Sequence, residues 1–476
     1  MLGESDETET QGRIMKVKGW TRRGFLGGTA RWAAAGIVAP QIVPARALGI
    51  GGTPPSECVN VAVISCGGRA MAESRCYTLT DKGQVVAVCD PWASKRLRAK
   101  QTFERHYAAR QRSGAYKGCD TYSDFRDVLA RADVDAVYIA TPDHWHVPIT
   151  IAAARAGKDM HTEKPLGVSI HEDLAAREAV RRHGRVFQYG AERRSTTAAR
   201  HAIELVLNGR IGQVQKIYVA SPASVKGPAD DPVLPVPADL DYDLWLGPAP
   251  WAPFSAARAI SGGNGNGIFH IYDYAIGFIA GWAAHPLDQV QWWADNAGMG
   301  VPVTYEGTGR LPDDGLFNCV IQWDVQCRYK NGLVMRFMDN QTAQQQDIPG
   351  IRDSNAATFI GTEGWICVNY SEVQMNPPSL RNAIIAPNEI HLDRSNRAGG
   401  EYVEPHHMSW LDCVRTRKDP VGNIESAVRS DIISHLSDIC VRVGRKITWD
   451  SVKETIVGDD TAARMMHRAV RAGWEM

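Results

Sequence analysis

The chain reads as an α/β protein: an N-terminal doubly wound parallel sheet, then a C-terminal α+β domain with a large, mostly antiparallel sheet. Three observations lead there. Between residues 58 and 187, short β-branched runs alternate with helical patterns, the order that right-handed crossovers turn into a parallel sheet. The first run, Asn60–Ser65, passes through Cys66-Gly67-Gly68 straight into a helical pattern. From Gln188 onward strand candidates multiply and carry hairpin cues such as Lys330-Asn331-Gly332.

A length of 476 residues suits two or three domains. Lys+Arg and Asp+Glu both total 53, so no overall field points to nucleic acid or to an anionic membrane. The ten cysteines are scattered without a C-x-x-C pair, which supports neither a zinc site nor a disulfide framework. Cys66 and Cys89 fall at strand ends and read as small buried residues.

Residues 1–48 are set apart from the fold. Thr21-Arg22-Arg23-Gly24-Phe25-Leu26 leads into a Gly/Ala-rich apolar run to Val43 and the small-residue site Ala45-Arg46-Ala47. Twin arginines with these features describe a twin-arginine export signal, and Arg31 inside the run argues against a membrane span. The expectation is a periplasmic or otherwise extracytoplasmic protein, exported folded by the twin-arginine machinery with a tightly bound cofactor loaded beforehand. Gly49–Pro55 is a flexible linker.

A strand, a glycine turn and a helix present backbone N–H groups to a pyrophosphate, so Ser65, Cys66, Gly67, Gly68 and Arg69 are candidate cofactor-binding residues. The G-x-G-x-x-G pattern of a Rossmann domain is damaged: Ser65 and Ala70 replace its outer glycines. The second strand, Gln84–Cys89, ends in Asp90, 23 residues past Gly67. A carboxylate there accepts from ribose hydroxyls and repels a 2′-phosphate. That favours NAD, while Lys95 and Arg96 leave NADP open; the plainer role for Asp90 is a cap before Pro91.

The third strand, Asp135–Thr141, ends in Pro142-Asp143-His144-Trp145-His146. Two histidines two apart suggest a metal, but no third ligand is evident, so no metal is expected. Asp143 capping a helix, with Trp145 packed under a cofactor, is preferred. Helix Val147–Ala156, strand Lys158–Thr162, helix Ser169–His183 and strand Arg185–Tyr189 complete the alternation. Ligands of such sheets lie beyond the strand C-termini. Ser65–Arg69, Asp90, Thr141, Pro142, His144, His146, Glu163 and Lys164 should therefore converge on one crevice.

Asn60–Arg69, the Cys89-Asp90-Pro91 end of the second strand, Ala140–His146 and His161–Leu166 together resemble the Gfo/Idh/MocA oxidoreductases, above all their twin-arginine-exported bacterial branch. The resemblance runs from Asn60 to the C-terminus. It implies an NAD(P)-binding Rossmann domain over 58–187, a substrate-binding α+β domain over 188–400, and a helical segment over 401–476 that packs back on the core. It further implies hydride transfer between the nicotinamide and a secondary hydroxyl of a sugar, glycoside or cyclitol. A homo-oligomer built on the open face of the second sheet is implied as well.

In the second domain, Ser195–Asn208 is helical, Gln213–Ser221 opens the strand-rich region, and later strands are expected at Gly315–Trp323, Leu333–Phe337, Ala356–Ile360 and Gly364–Val368. Pro405–Arg417 and Ser426–Arg445 read as helices, and the glycine-rich loop Ser261–Gly267 as a turn that could line the site. In the resembled family an aspartate precedes a histidine by four residues, on one helical face. Here His285 is present, Gly281 holds the aspartate position, and Pro286 should break or restart the helix.

Alcohol oxidation releases a hydroxyl proton with the hydride, so a base must stand within reach. Lys164 and His285 are the candidate catalytic residues. Arg193 and Arg194, just beyond the Gln188 strand, could fix substrate hydroxyls or a carboxylate, or lie at the surface; His285 is a further substrate-binding candidate. Trp245, Trp251 and Trp282 offer stacking faces, with core packing as the default. Two other readings stay open: a redox-cycling glycosidase or lyase on the same fold, and a non-catalytic sugar-binding protein.

Overall fold

The computed structural model describes residues 57–260, 267–351, 355–369, 372–392 and 403–475. The twin-arginine segment, the linker Gly49–Pro55 and most of the loop Ser261–Gly267 lie outside the described residues.

Strands β1 (Val59–Ile64), β2 (Gly83–Cys89), β3 (Asp120–Tyr122), β4 (Ala136–Ile139), β5 (Asp159–Thr162) and β6 (Phe187–Tyr189) form one sheet in the order 3-2-1-4-5-6. Every pairing in it is parallel. The intervening helices are α1 (Gly68–Glu73), α2 (Ala93–His106), α3 (Phe125–Leu129), α4 (His146–Arg155) and α5 (Ile170–Arg182). Along β1, Val61 and Val63 pack with Ala99 and Phe103 of α2, whereas Ala62 and Ile64 pack on the other face with Phe125 and Val128 of α3. Both faces are covered, which is why the strand reads as one apolar run.

Helix α6 (Thr197–Leu207) leads into a nine-stranded sheet comprising β7 (Val214–Ser221), β8 (Thr304–Arg310), β9 (Gln322–Arg328), β10 (Val334–Asp339), β11 (Ala356–Gly361), β12 (Trp365–Asn369), β13 (Val373–Asn376), β14 (Ile447–Asp450) and β15 (Thr455–Val457). Its order is 13-12-11-7-10-9-8-14-15. Only β7 and β10 pair in parallel. The Lys330-Asn331-Gly332 turn joins β9 to β10 as a hairpin, with Gly332 at φ +92°. Phe337 and Phe359 turn into the main core, while Met338 and Cys367 fill a smaller cluster.

Between β7 and β8, helix α7 (Phe278–Gly281) stops and α8 (Ala284–Asn296) restarts. Pro286 lies in the first turn of α8, where the missing N–H has no intrahelical partner to lose. Helices α9 (Val403–Thr416) and α10 (Ile424–Val443) follow. Helix α9 returns to the first sheet: Trp410 and Leu411 join Val61, Val63 and Tyr77 in its core.

One expected strand fails. Gly315–Trp323 is irregular up to β9, because its backbone is used elsewhere. Gly315 turns at φ +89°, Leu316 N–H donates to Pro228 O, and Cys319 N–H donates to His270 O. Conversely β8 carries no strand signal in the sequence, since most of its side chains face outward and show no apolar alternation.

Candidate active site

The C-terminal ends of β1, β2, β4 and β5 open on one cleft of about 430 Å³, closed on the far side by α7 and α8. Ser65, Gly67, Gly68 and Arg69 line one wall, and Asp90 lies beside them. Thr141, Pro142 and His146 come from the end of β4, Glu163 and Lys164 from the end of β5, and His285 from α8. The crevice argued from topology therefore exists as a single cavity. Trp245 and Trp282 supply aromatic wall; Trp251 is exposed elsewhere.

The glycine turn explains its own damaged motif. Ser65 occupies the first glycine position at φ +90°, a conformation that costs a non-glycine residue order-of-magnitude 1–3 kcal/mol. Its Oγ accepts the Gly67 N–H at 3.2 Å. A Cβ on Gly68 would meet nothing within 4 Å, so the space above the turn is open. Asp90 Oδ2 accepts the Cys66 N–H (2.7 Å) and Oδ1 the Trp92 N–H (2.9 Å). Asp90 thus ties the glycine turn to the next loop and caps it, and each oxygen keeps a lone pair for a ribose hydroxyl. The residues present fit a dinucleotide: an open turn, a carboxylate at the second strand end, and an apolar cleft beyond. Arg96 donates to Asp90 O (3.0 Å), and Lys95 lies over the Trp92 ring (4.8 Å).

Lys164 reaches across the cleft. Its ammonium donates to the Gly281 carbonyl at 2.7 Å and lies 5.7 Å from the centre of the Trp282 ring. His285 is buried, its Nδ1 3.7 Å from Glu192 Oε2. Burial holds the imidazole well below the usual histidine range, and Lys164, Arg69 and Arg193 push the same way, so His285 is neutral at pH 7.

Behind Lys164 lies a buried carboxyl cluster. The Tyr138 hydroxyl stands 3.0 Å from both Glu73 Oε2 and Glu163 Oε1. One hydroxyl proton cannot serve two carboxylates, so one of the pair must itself hold a proton. Burial and the Glu163 charge raise Glu73 well above the carboxylate range. Burial opposes ionisation of Glu163 too, yet Arg69 and the hydrogen bonds outweigh it and hold that carboxyl below its ordinary range. Glu73 carries the proton. Arg69 spans the group, 2.6 Å from Glu73 and 3.7 Å from Glu163.

Several expected site residues are placed elsewhere. Cys66 is buried beneath the turn and contributes its backbone N–H to Asp90. His144 points away from the cleft, packed between Trp145, Trp245 and Tyr274 with Nε2 3.3 Å from Trp245 O. Arg194 makes a bidentate pair with Asp288, both bonds 2.7 Å, and donates to Val421 O. With 3% of its side chain exposed it has no reach to a substrate. Arg193 is buried outside the cleft lining, near enough to His285 to depress its pKa. Conversely Asp143, read as a helix cap, lines the cleft, and burial pushes its carboxyl up to about 8 against the pull of Lys164. Only its neighbourhood in space reveals that.

Comparison with known proteins gives two family matches. The Gfo/Idh/MocA model described as the oxidoreductase family's NAD-binding Rossmann fold matches residues 59–191, and that described as its C-terminal alpha/beta domain matches residues 223–476. Over 116 residues the chain is 32% identical to a glycosyl hydrolase family 109 protein of Saccharopolyspora erythraea, covering 24% of each. Over 92 residues it is 38% identical to levoglucosan dehydrogenase of Pseudarthrobacter phenanthrenivorans, covering 19% of this chain and 24% of that one. The alignments thus span about a quarter of either relative's length. Among solved structures, aldose–aldose oxidoreductase from Caulobacter crescentus superposes with a TM-score of 0.56 at 17% identity, over 82% of this chain and 99% of the other. That likeness establishes the fold.

Proposed function

The chain belongs to the Gfo/Idh/MocA oxidoreductase family, and from that premise we propose that it transfers hydride between NAD(H) and a secondary hydroxyl of a sugar, glycoside or cyclitol. The observation that carries the reading is the Lys164 ammonium, held in the cleft by Gly281 O at 2.7 Å opposite an open glycine turn. The 38% identity to a levoglucosan dehydrogenase supports a carbohydrate substrate.

A bound nicotinamide supplies the hydride acceptor; the chain supplies the rest. Ser65, Gly67, Gly68, Arg69 and Asp90 would hold the dinucleotide. Lys164 spends one N–H on Gly281 and keeps two for the substrate oxygen, orienting the hydroxyl and stabilising negative charge as its proton leaves. His285, neutral at pH 7, accepts that proton. Trp245 and Trp282 help exclude water from the exchange.

Relatives named glycosyl hydrolase family 109, together with Gly281 in the family's aspartate position, favour a second reading: a glycosidase or lyase to which a bound nicotinamide would supply transient oxidation with no net redox change. The twin-arginine segment supports export of the folded, cofactor-loaded protein. Purified full-length protein incubated with NAD and a panel of sugars and glycosides separates the two reactions. Net growth of the reduced-nicotinamide absorbance supports the dehydrogenase. Aglycone release without that growth supports the cycling enzyme, and neither signal with any sugar sinks both.

A further inference from the structure

Helices α5 and α10 pack against each other and bury a group of charged side chains that the reaction above does not use. Asp431 and His435 stand four apart on α10 and so share a face; Asp173 meets them from α5. All three are at most 4% exposed, and one ligand atom from each lies within 4.8 Å of the others. Asp173 Oδ2 and His435 Nε2 approach to 3.3 Å.

Their hydrogen bonding is incomplete. Neither oxygen of Asp173, nor His435 Nε2, makes a hydrogen bond of strict geometry; the Gly167 backbone N–H acts on Asp173 from nearby, yet buried polar atoms are nearly always better satisfied. Asp431 is partly engaged: Oδ1 accepts the Tyr189 hydroxyl (2.6 Å) and Oδ2 the Leu166 N–H (2.5 Å), leaving a lone pair on each. Glu172, also buried, adds a third carboxyl, with Oε2 accepting the Val168 N–H. The positive side chains acting on this group are few. Arg468 affects Glu172 and His435, but it is stacked on Tyr272 and bonded to Tyr272 O.

We propose that Asp173, Asp431 and His435 bind a divalent transition-metal cation, Zn2+ or Mn2+, in a structural site between α5 and α10. One imidazole and two carboxylates are a donor set that such ions accept. Protons alone serve the group poorly. A proton shared between Asp173 Oδ2 and His435 Nε2, 3.3 Å apart, would sit in a poorly aligned hydrogen bond. A cation satisfies all three unpartnered atoms and offsets the buried charge at once. Since Asp431 also holds the Leu166 N–H, two residues beyond Lys164, the ion braces the segment that presents the lysine.

The test is metal content of the full-length protein, purified from cells grown with Zn2+ and Mn2+, by inductively coupled plasma mass spectrometry. About one equivalent per chain is expected in the wild type and less than about a tenth in Asp173→Asn. Prolonged chelation should lower the wild-type melting temperature, with recovery on adding Zn2+ or Mn2+ but not Mg2+. A wild type below about a tenth of an equivalent, with a melting temperature indifferent to both ions, overturns the proposal and leaves protons on the acids. Full metal retention by both Asp173→Asn and His435→Gln overturns it equally. Should Asp173→Asn not fold, His435→Gln and the wild-type chelation series decide. None of these readouts depends on which sugar is turned over.

Discussion

The Lys164 ammonium donates to the Gly281 carbonyl at 2.7 Å, which fastens the lysine of the first domain to the end of α7 in the second. A lysine so placed has a fixed direction before any substrate arrives, and orientation of the reacting group is a large part of what an active site contributes. Its removal should cost catalysis more than binding. Lys164→Ala is expected to lower kcat for sugar oxidation by about 10²–10⁴-fold, while NADH binding, followed by nicotinamide fluorescence, persists. A loss below tenfold would put the proton chemistry elsewhere.

Asp143 gives the cleft a pH signature. Its carboxyl is pushed up to about 8 by burial, against roughly 3.9 in an unfolded chain. Between those values the folded protein keeps a proton that the unfolded chain has released. The contribution is complete below about pH 4 and is lost as pH rises through about 8. His144 next to it works in the opposite sense: burial lowers its pKa to about 4, so its share of stability is lost as pH falls below about 6.5. Asp143→Asn removes only the first effect. Urea midpoints at pH 5 and pH 8 should show the variant gaining on the wild type by roughly a few kcal/mol at the higher pH; parallel profiles would contradict the raised carboxyl.

The legible part of the molecule is the part that local chemistry dictates. Short runs separated by glycine turns and helical periods mark five of the six parallel strands, whereas β3, Asp-Thr-Tyr, is three residues with no apolar run and carries no signal; strand polarity alone brings Asp90, Thr141 and Lys164 to one edge. The illegible part depends on partners distant in sequence. Nothing near Arg194 announces Asp288, 94 positions away, which claims the guanidinium for the core. Gly315–Trp323 has the composition of a strand, yet Pro228 and His270 take the amides a ladder needs. The pairing of Lys164 with Gly281 O uses a main-chain atom that every residue carries, so no side-chain pattern could signal it.

Arg194 itself provides a prediction against its sequence-based role. The bidentate pair with Asp288 is buried on both sides, and Ser430 Oγ donates to the same carboxylate at 3.0 Å. Breaking such a pair leaves an uncompensated buried charge, costing about 3–5 kcal/mol. Arg194→Ala should therefore show a strongly lowered denaturant midpoint, with KM for the sugar unchanged in whatever folded fraction remains. A raised KM at unchanged stability would return Arg194 to the substrate site.

Two glycines of the second domain should respond to alanine in opposite ways. Gly247 adopts φ +50°, and a Cβ there would fall 2.0 Å from a ring carbon of Trp145. That ring cannot easily retreat. Phe125 and Trp474 flank it at 5.4 and 5.2 Å between centres, and its Nε1 donates to Trp245 O at 3.1 Å. Strain and overpacking together put Gly247→Ala at about 2–5 kcal/mol of lost stability. Because Trp145 lines the cleft, NADH affinity should fall as well. Gly281 has no positive φ, and a Cβ on it would meet only Phe278 at 3.7 Å. What Gly281 offers Lys164 is its carbonyl, which alanine retains. Gly281→Ala should therefore keep both melting temperature and kcat close to wild type. A collapse of kcat in that variant would mean that the empty volume beside the lysine, rather than the carbonyl, is what the reaction requires.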